Sequence, residues 1–539
     1  MASKTNIQTT NQITGKQKGW ALATVLMTMF FASMNQTVVS TAIPTIISDL
    51  EGFELYSWIF SAFMITSAIS VPIYGKLSDV YGRRPFYIFG LLVFAIGSVL
   101  SGFSQSIEWL IIARAIQGIG AGAMMSMPRA TIGDIFNPKE RGRWMGVIGA
   151  VFGVSSILGP TIGGWITENI GWEWVFFVNL PFAVLALIGV FYALPKVKTE
   201  QRTKVDWIGS ILLTIGLLPI MFGFTWAGDK YAWSDWQTIT LFGSGLIVLV
   251  FFMLYERKRK DPVIEVSFFQ NKLFAITLIL AVFVTMAMFG ALMFLPLYIQ
   301  GVLGMSVQNS GLVMAPMMIS FIAGSVIAGQ YMTRTGKYKM IAHISAVFMV
   351  VGLILFSLVD VDTTYPTVIL DMVILGIGIG SLMPIFNVSV QNIFPYKQMG
   401  SVNATQQFVR SLGGVIAAPI FGSLLNSGFS DKMKETMPSE LANLQQSAGT
   451  ELANMNPQAL LTQEAQQGLQ EAFAKMGDKG IELFEQFLHA VKVSLSSGIH
   501  SLFIVGLGFA ILTLIGTFFM PEHDLQGDEY YEKEADGKA

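Results

Sequence analysis

The stretch LFAITLILAVFVTMAMFGALMFLPLYIQ fills residues 273–300 and contains no charged side chain. As a helix rising 1.5 Å per residue, it exceeds the roughly 30 Å hydrocarbon core of a bilayer. Lipid offers the backbone no hydrogen-bond partners, so an apolar run of this length must be helical if it lies in a membrane. Similar runs recur in both directions from it, the first at 19–47 and the last at 496–520. We therefore predict an all-α membrane protein with about fourteen transmembrane helices.

The composition agrees with a membrane protein and disfavours an enzyme. Of the 539 residues, 53% are hydrophobic and only 13% are charged, whereas soluble proteins carry about 25% charged residues. The absence of cysteine rules out thiolate catalysis and Cys-ligated metals. The 4 histidines are not spaced as metal ligands, and no phosphate-binding loop is present. We expect no enzyme activity, no cofactor or metal and, with a net charge of -2 and no basic arm, no nucleic-acid partner.

Basic residues are concentrated in alternate connections between the apolar runs. With the N-terminus inside, an inner connection carries RKRK at 257–260, while the short outer loops hold only Lys230. Cytoplasmic loops of membrane proteins are enriched in Lys and Arg. Residues 1–18 lack the apolar core of a cleavable signal peptide. We expect a multi-pass protein of the cytoplasmic membrane with both termini in the cytosol.

The order of runs suggests two six-helix bundles with a helix pair inserted between them. The expected parts are a cytoplasmic tail (1–18), an N-terminal bundle (19–200), the inserted pair (201–260), a C-terminal bundle (261–520) and a second tail (521–539). Residues 428–495 are polar and would lie outside the cell. Helical spacing of their apolar residues favours an external helical hairpin or cap. A partly ordered loop without a role in transport explains them equally well.

A faint internal repeat supports the two bundles. GKLSDVYGRR at 75–84 separates the second and third runs, and GQYMTRTGKY at 329–338 separates the tenth and eleventh. Thr333 stands in the second copy where Asp79 stands in the first. Repeats of this kind build many transporters.

The first copy has the features of a gating latch. Gly75 and Gly82 permit a tight turn and close helix approach. Asp79 and Arg83 lie where the inner leaflet ends, and Asp134 at the end of the fourth run is the expected partner of Arg83. Pairs of this kind can hold one face closed and break when it opens. The alternative is an ordinary basic turn.

The fifth run, GAVFGVSSILGPTIGG at 149–164, has the features of a hinge. Its small residues leave a smooth face for close helix packing, and a proline inside the helix removes a backbone donor and bends it. The candidate hinge residues are Gly153, Gly159, Pro160, Gly163 and Gly164. Simple helix packing is the alternative.

These motifs together resemble a known family. Residues 75–84 resemble the signature loop of the major facilitator superfamily, LIIARAIQGIGAG at 110–122 is similar to its fourth-helix motif, and 149–164 resembles its antiporter motif. With fourteen helices, WEWVFFVNLP at 172–181 and DWIG at 206–209, the chain resembles the fourteen-helix drug:proton antiporters. The resemblance implies an alternating-access exporter of lipophilic drugs, cationic ones included, in exchange for protons. Such multidrug efflux gives antibiotic resistance.

One departure from the family concerns the first helix. The subfamily usually carries an acid there, but this chain has Asn35 in that place. An asparagine cannot titrate. Proton coupling through this position therefore cannot be carried over from the resemblance.

Polar side chains inside the apolar runs are the candidates for substrate binding and proton coupling. Charged residues are costly within a bilayer, so they default to functional hypotheses. The candidates are Asn35, Arg114, Gln117, Asp371, Gln406, Gln407 and Arg410. We expect Asp371 either to titrate as the proton site or to pair with Arg410. The alternative for Asp371 is a position near the outer headgroups that water reaches.

Methionine and aromatic residues suggest a permissive cavity. Methionine is flexible and polarisable, and aromatic rings stack on planar cations and heterocycles. The cavity candidates are Met286, Met288, Phe289, Met293, Met314 and Met317. Packing against lipid or neighbouring helices is the alternative for each of them.

The expected partners are small lipophilic substrates, protons and the lipid bilayer, and the expected state is a monomer. Two other functions stay open at this point. A transporter on the same scaffold could export or take up a specific metabolite, and a membrane sensor could act through residues 428–495.

Overall fold

The computed structural model describes residues 15–50, 55–136, 138–194, 206–227, 230–259, 262–303, 314–394, 398–438, 470, 473 and 477–522. Within some helices only the backbone is described, including the positions of Asp79 and Pro160. Almost all of the described residues are helical.

Fourteen helices are long and apolar enough to cross a membrane. They are α1 (Gly15–Leu50), α2 (Tyr56–Tyr81), α3 (Arg83–Gly102), α4 (Ile107–Ile135), α5 (Pro138–Asn169), α6 (Asn179–Ala193, preceded by the one-turn helix Trp174–Phe177), α7 (Trp207–Trp226), α8 (Trp236–Glu256), α9 (Lys272–Gly301), α10 (Ala315–Thr335), α11 (Lys339–Ser357), α12 (Tyr365–Gln391), α13 (Met399–Thr436) and α14 (Asp478–Phe518). A short 3-10 helix, Val266–Gln270, precedes α9. The predicted all-α fold with fourteen spans is confirmed.

The helices form two bundles of six with matching internal packing. In the first bundle α2 and α3 pack on α4, and α1 packs on α5; in the second, α10 and α11 pack on α12, and α9 packs on α13. The same three pairings therefore recur in both halves. The repeat is also visible in the backbone, because Gly82 ends α2 with φ 88° and Gly336 ends α10 with φ 67°. Glycine adopts positive φ without steric cost, which explains its presence at both turns.

The inserted pair lies at one seam between the bundles. Helices α7 and α8 pack on each other, and α7 also contacts α2 and α13. A hydrophobic cluster joins these elements through Ile69, Leu217 and Val415. At the opposite seam α5 packs directly on α10.

Two helix ends differ from the prediction. The sequence predicts spans at 400–426 and 496–520, but α13 continues to Thr436 and α14 begins at Asp478. The extra turns carry Phe429, Met433 and Phe487, which are buried in the same hydrophobic cluster. The apolar residues of these turns therefore stabilise helical structure beyond the length needed to span a bilayer.

Polar contacts also join these extensions. Ser494 Oγ lies 3.1 Å from Thr436 Oγ1 and donates to Met433 Sδ at 3.7 Å. Two helical arms of the expected hairpin are thus in contact. Residues 439–469, the middle of the expected hairpin, lie outside the described residues.

Candidate functional site

A cavity of about 130 Å³ lies between the two bundles. Each bundle contributes four helices to its lining: α1, α2, α4 and α5 on one side, and α9, α10, α12 and α13 on the other. Apolar lining residues include Met29, Phe63, Met64, Phe152, Met288, Phe289, Phe321 and Met383, and polar ones include Ser33, Gln36, Ser67, Arg129, Asn387, Gln407 and Arg410. The site is thus shared equally by the repeated halves.

Two arginines meet in this cavity across the interface between the halves. Arg129 on α4 and Arg410 on α13 both donate to Oε1 of Gln407. Arg129 also donates to the backbone oxygen of Met125 at 3.2 Å, and Arg410 lies 3.6 Å from Met383 Sδ. One neutral amide oxygen therefore serves two guanidinium groups.

Arg129 is a lining residue that was not among the candidates expected from the sequence. Its side chain is only 7% exposed. The sequence feature that could have identified Arg129 is its position as a charged residue within the apolar fourth run, one residue after Pro128. Arg410 and Gln407 were expected at the site, and both line it. Gln406 is placed differently, because its amide donates to the backbone oxygen of Phe386 at 3.0 Å and stays out of the cavity lining.

Only two of the six cavity candidates on the methionine-rich helices line the cavity. Met288 and Phe289 do so together with Thr285, as the i, i+3, i+4 spacing of one helix face requires. Met293 on the same helix is 39% exposed and faces outward.

The remaining three candidates belong to the core of the second bundle. Met286, Met314 and Met317 are buried in one hydrophobic cluster with residues of α11, α12 and α14. These three and Met293, expected from the sequence to line the cavity, are not among its lining residues in this conformation. Composition identifies a methionine-rich helix but not the direction in which each side chain points.

A second polar cluster lies inside the first bundle. Arg114 is fully buried, and its Nη1 donates to Asn35 Oδ1 at 3.0 Å and to Gln117 Oε1 at 2.5 Å. Its Nε donates to the backbone oxygen of Ile59 at 3.3 Å, and its guanidinium carbon lies 4.2 Å from the ring centre of Phe63. The structure thus brings together three residues that the sequence singles out separately.

This cluster lacks a carboxylate and is not fully satisfied. Asn35 Nδ2 and Arg114 Nη2 are buried and have no hydrogen-bond partner among the described residues. Gln117 Nε2 donates to Ser98 Oγ at 2.6 Å. The network therefore leaves two donors available to an acceptor.

Asp371 lies apart from both clusters. It is 2% exposed, six residues after the start of α12. Met383, which contacts Arg410, is about 18 Å further along the same helix at 1.5 Å per residue. The expected pair between Asp371 and Arg410 is therefore not formed in this conformation. The other expectation for Asp371, a titrating proton site, stays a prediction.

The turn between α2 and α3 holds the expected ion pair. Arg83 Nε lies 3.0 Å from Asp134 Oδ2 at the end of α4, and Arg83 Nη1 donates to Ser78 Oγ at 2.5 Å. Ser78 Oγ in turn donates to the backbone oxygen of Gly75 at 2.9 Å. The side chain of Asp79 is outside the described part.

The glycines of α5 face two different neighbours. A Cβ at Gly159 or Gly163 would overlap α1 at Thr37 or Thr41, and one at Gly153 would overlap Ile322 of α10. Gly164 has no atom within 4 Å of that position. Helix α5 therefore packs closely on its own bundle at one end and on the other bundle nearer its start.

Two repeated six-helix bundles that share a central cavity define a secondary membrane transporter. The chain belongs to the Major Facilitator Superfamily, whose family model matches residues 25–418. The family expected from the motifs is thus confirmed, and it is a family of transporters rather than enzymes.

Two relatives carry names that refer to multidrug transport or resistance. The chain is 34% identical to the multidrug transporter protein MdtP of Bacillus subtilis, covering 96% of each chain. It is 35% identical to multidrug resistance protein 3 of the same organism, covering 76% of this chain and 80% of that one. Among solved structures, the human organic anion transporter MFSD10 (TETRAN) matches with a TM-score of 0.60 over 93% of this chain and 99% of that one. At 14% identity this last likeness shows the fold alone.

Proposed function

We propose that this chain exports lipophilic drugs or similar toxic compounds from the cell by alternating access, in exchange for protons. The observation that carries the proposal is the cavity lined by four helices from each repeated half. A site at such an interface opens to one side and then the other when the halves rock. The multidrug relatives support the class of substrate.

The lining of the cavity suits varied substrates. Met64, Met288 and Met383 can change rotamer to fit different shapes, and Phe63 and Phe289 offer flat faces for stacking. Flexible methionine-rich surfaces are a common feature of promiscuous binding sites. A transporter for one metabolite would be expected to present more fixed hydrogen-bonding groups.

Two devices are proposed for the conformational change: a latch within the first bundle and a hinge between the halves. The Arg83–Asp134 pair serves as the gating latch, with Gly75, Asp79 and Gly82 shaping its turn. The glycine face of α5 serves as the hinge, since it contacts both bundles. Pro160 lies in the same stretch of α5 and has no backbone N–H to donate, which favours a bend there.

We place proton coupling at Asp371, because Asn35 cannot titrate. The support is a buried carboxylate inside a transmembrane helix of the second half. Buried acids in transporters commonly belong to proton relays. The Asn35–Arg114–Gln117 network is proposed as a second polar element of coupling, within the first bundle.

The proposed setting is the cytoplasmic membrane, with a monomer and both termini in the cytosol. The clustering of basic residues in alternate connections supports this orientation. We propose the same domain limits as from the sequence: an N-terminal bundle at 19–200, the inserted pair at 201–260 and a C-terminal bundle at 261–520.

The test uses purified protein in vesicles loaded with a lipophilic fluorescent dye and given a pH step. We expect dye movement against its gradient that an uncoupler abolishes. Asp371→Asn should lose the response to the pH step, whereas Asp362→Asn, at an exposed position, should keep it. Dye movement of equal rate with and without the pH step would refute proton exchange. No movement of any lipophilic dye would favour a metabolite transporter or a sensor.

A further inference from the structure

The central cavity carries two positive charges and no described negative one. Arg129 and Arg410 reach it from opposite halves and share the oxygen of Gln407. Each guanidinium has five N–H donors, so most of their capacity is not used by these contacts. Two like charges in an apolar site repel each other, and an anion between them would relieve that repulsion.

The sequence also keeps carboxylates away from this cavity. Helices α9 and α10 contain no acidic residue. The acids on the other six lining helices all lie within about two turns of a helix end: Asp49, Asp79, Glu108, Asp134, Glu140, Glu168, Asp371, Asp431 and Glu435. Asp134 is the one nearest in sequence to Arg129, and it pairs with Arg83. None of these acids whose side chain the structure describes pairs with Arg129 or Arg410 in this conformation.

The rest of the lining is apolar or neutral. Phe63, Met64, Met288 and Phe289 provide a surface for a hydrophobic body beside the charged end of the cavity. Arginine binds carboxylates through two parallel hydrogen bonds, which fixes both position and charge. The cavity thus complements a compound with one acidic group and a lipophilic body.

We propose that the transporter takes lipophilic monoanions, with their carboxylate held between Arg129 and Arg410. This inference rests on the proposed function, since it names the substrate class of the same site. It differs from the expectation of cationic drugs, which this cavity would repel. Gln407 positions both arginines and yields part of its contact when the anion binds.

The test compares three probes that share one fluorescent body: 1-pyrenebutyrate, 1-pyrenebutanol and 1-pyrenebutylamine. Binding to the purified protein in detergent, without any gradient, is measured by fluorescence. We expect the carboxylate to bind about tenfold more tightly than the alcohol, the value of one charge-assisted hydrogen bond, and the amine to bind most weakly.

Matched variants locate the effect. Arg410→Gln and Arg129→Gln should each remove the preference for the carboxylate, while Arg410→Lys should keep a reduced one because the charge remains. Arg334→Gln removes an exposed arginine at the end of α10 and should leave the preference unchanged. Thermal unfolding of each variant shows whether it is folded, and Arg410→Lys keeps the test valid if a glutamine variant is not.

Three results would overturn the inference: the amine binding as tightly as the carboxylate, the preference surviving in both glutamine variants, or Arg334→Gln losing it. Transport separates this inference from the proposed function. If neutral dyes are exported and the carboxylate shows no arginine-dependent binding, the function stands and the inference falls. If the carboxylate binds as expected but nothing moves under a pH step, the inference stands and the export function falls.

Discussion

Arg83, the first residue of α3, forms an ion pair with Asp134 in the last turn of α4, with Nε and Oδ2 3.0 Å apart. The two side chains are 15% and 41% exposed, so water screens the pair only in part. The contact ties the turn at Gly82 to a helix that also carries Arg129 of the cavity. A change in the turn at Gly82 can therefore reach Arg129 in the cavity through α4 alone.

Asp134→Asn should weaken this pair and favour opening at that rim. A partly exposed pair contributes up to about 1 kcal/mol, which corresponds to a shift of roughly fivefold between two conformations. Since the chain has no cysteine, Ser67→Cys in the cavity gives one reporter for a membrane-impermeant maleimide. In the Asp134→Asn variant, maleimide applied on the membrane side where Gly82 lies should label the cysteine at position 67 faster. Asp362→Asn serves as the control, and equal labelling rates in both variants would refute the latch.

Gly163→Ala should destabilise the protein, because its new methyl group meets the backbone oxygen of Val38 and the hydroxyl of Thr41. Overpacking of this kind costs about 1–3 kcal/mol. The neighbouring Gly164→Ala adds the same atoms where nothing lies within 4 Å. Thermal unfolding in detergent should lower the midpoint for the first variant only, and dye export should fall with it. A similar loss in both would show that helix flexibility, not the α1–α5 contact, requires the glycines.

Asn35→Leu should leave Arg114 with one fewer acceptor in a fully buried site. A buried donor without its partner costs about 1–3 kcal/mol. Asn35→Asp retains an acceptor at the same place and is expected to unfold close to the wild-type temperature. Asn169→Leu, at an exposed position of α5, controls for the change of residue type. Equal stability of the leucine and aspartate variants at position 35 would contradict this role of the asparagine.

Thr436→Cys combined with Ser494→Cys should form a disulfide, because the two hydroxyl oxygens lie 3.1 Å apart. Oxidation should hold two fragments together after cleavage at a protease site placed between residues 440 and 468. Ser427→Cys with Ser494→Cys is the control, since Ser427 lies about 13 Å along α13 from Thr436. Cross-linking of the control to the same extent would show that the two arms slide past each other.

The fold was largely predictable because one physical property, apolar length, specifies a span independently of its neighbours. The pairing of Arg83 with Asp134 was also predictable, since the predicted topology puts both residues at helix ends on the cytoplasmic side. Helical spacing at 428–495 predicted a hairpin, but not that its arms would continue α13 and α14 without a break. The two arms contact each other through Thr436, Met433 and Ser494, and no pattern within one run contains that contact.

The site was predictable in part. Gln407 and Arg410 could be found because polar residues are rare within apolar runs. Met286 and Met288 are two positions apart and both are buried in the same cluster, yet only Met288 also lines the cavity, which depends on the rotation of α9 in its bundle. The meeting of Arg129 with Arg410 depends on how two halves of the chain pack. No pattern within either helix contains that information.

Both seams between the bundles are direct contacts, α2 with α13 and α5 with α10, but only the first also contacts α7 of the inserted pair. The two flanks of the molecule therefore present different boundaries to the surrounding lipid. Among the described helices, a compound arriving from the acyl chains would meet an added helix pair on one flank and only α5 and α10 at the junction on the other. We therefore expect a compound that enters sideways from the bilayer to use the flank of α5 and α10.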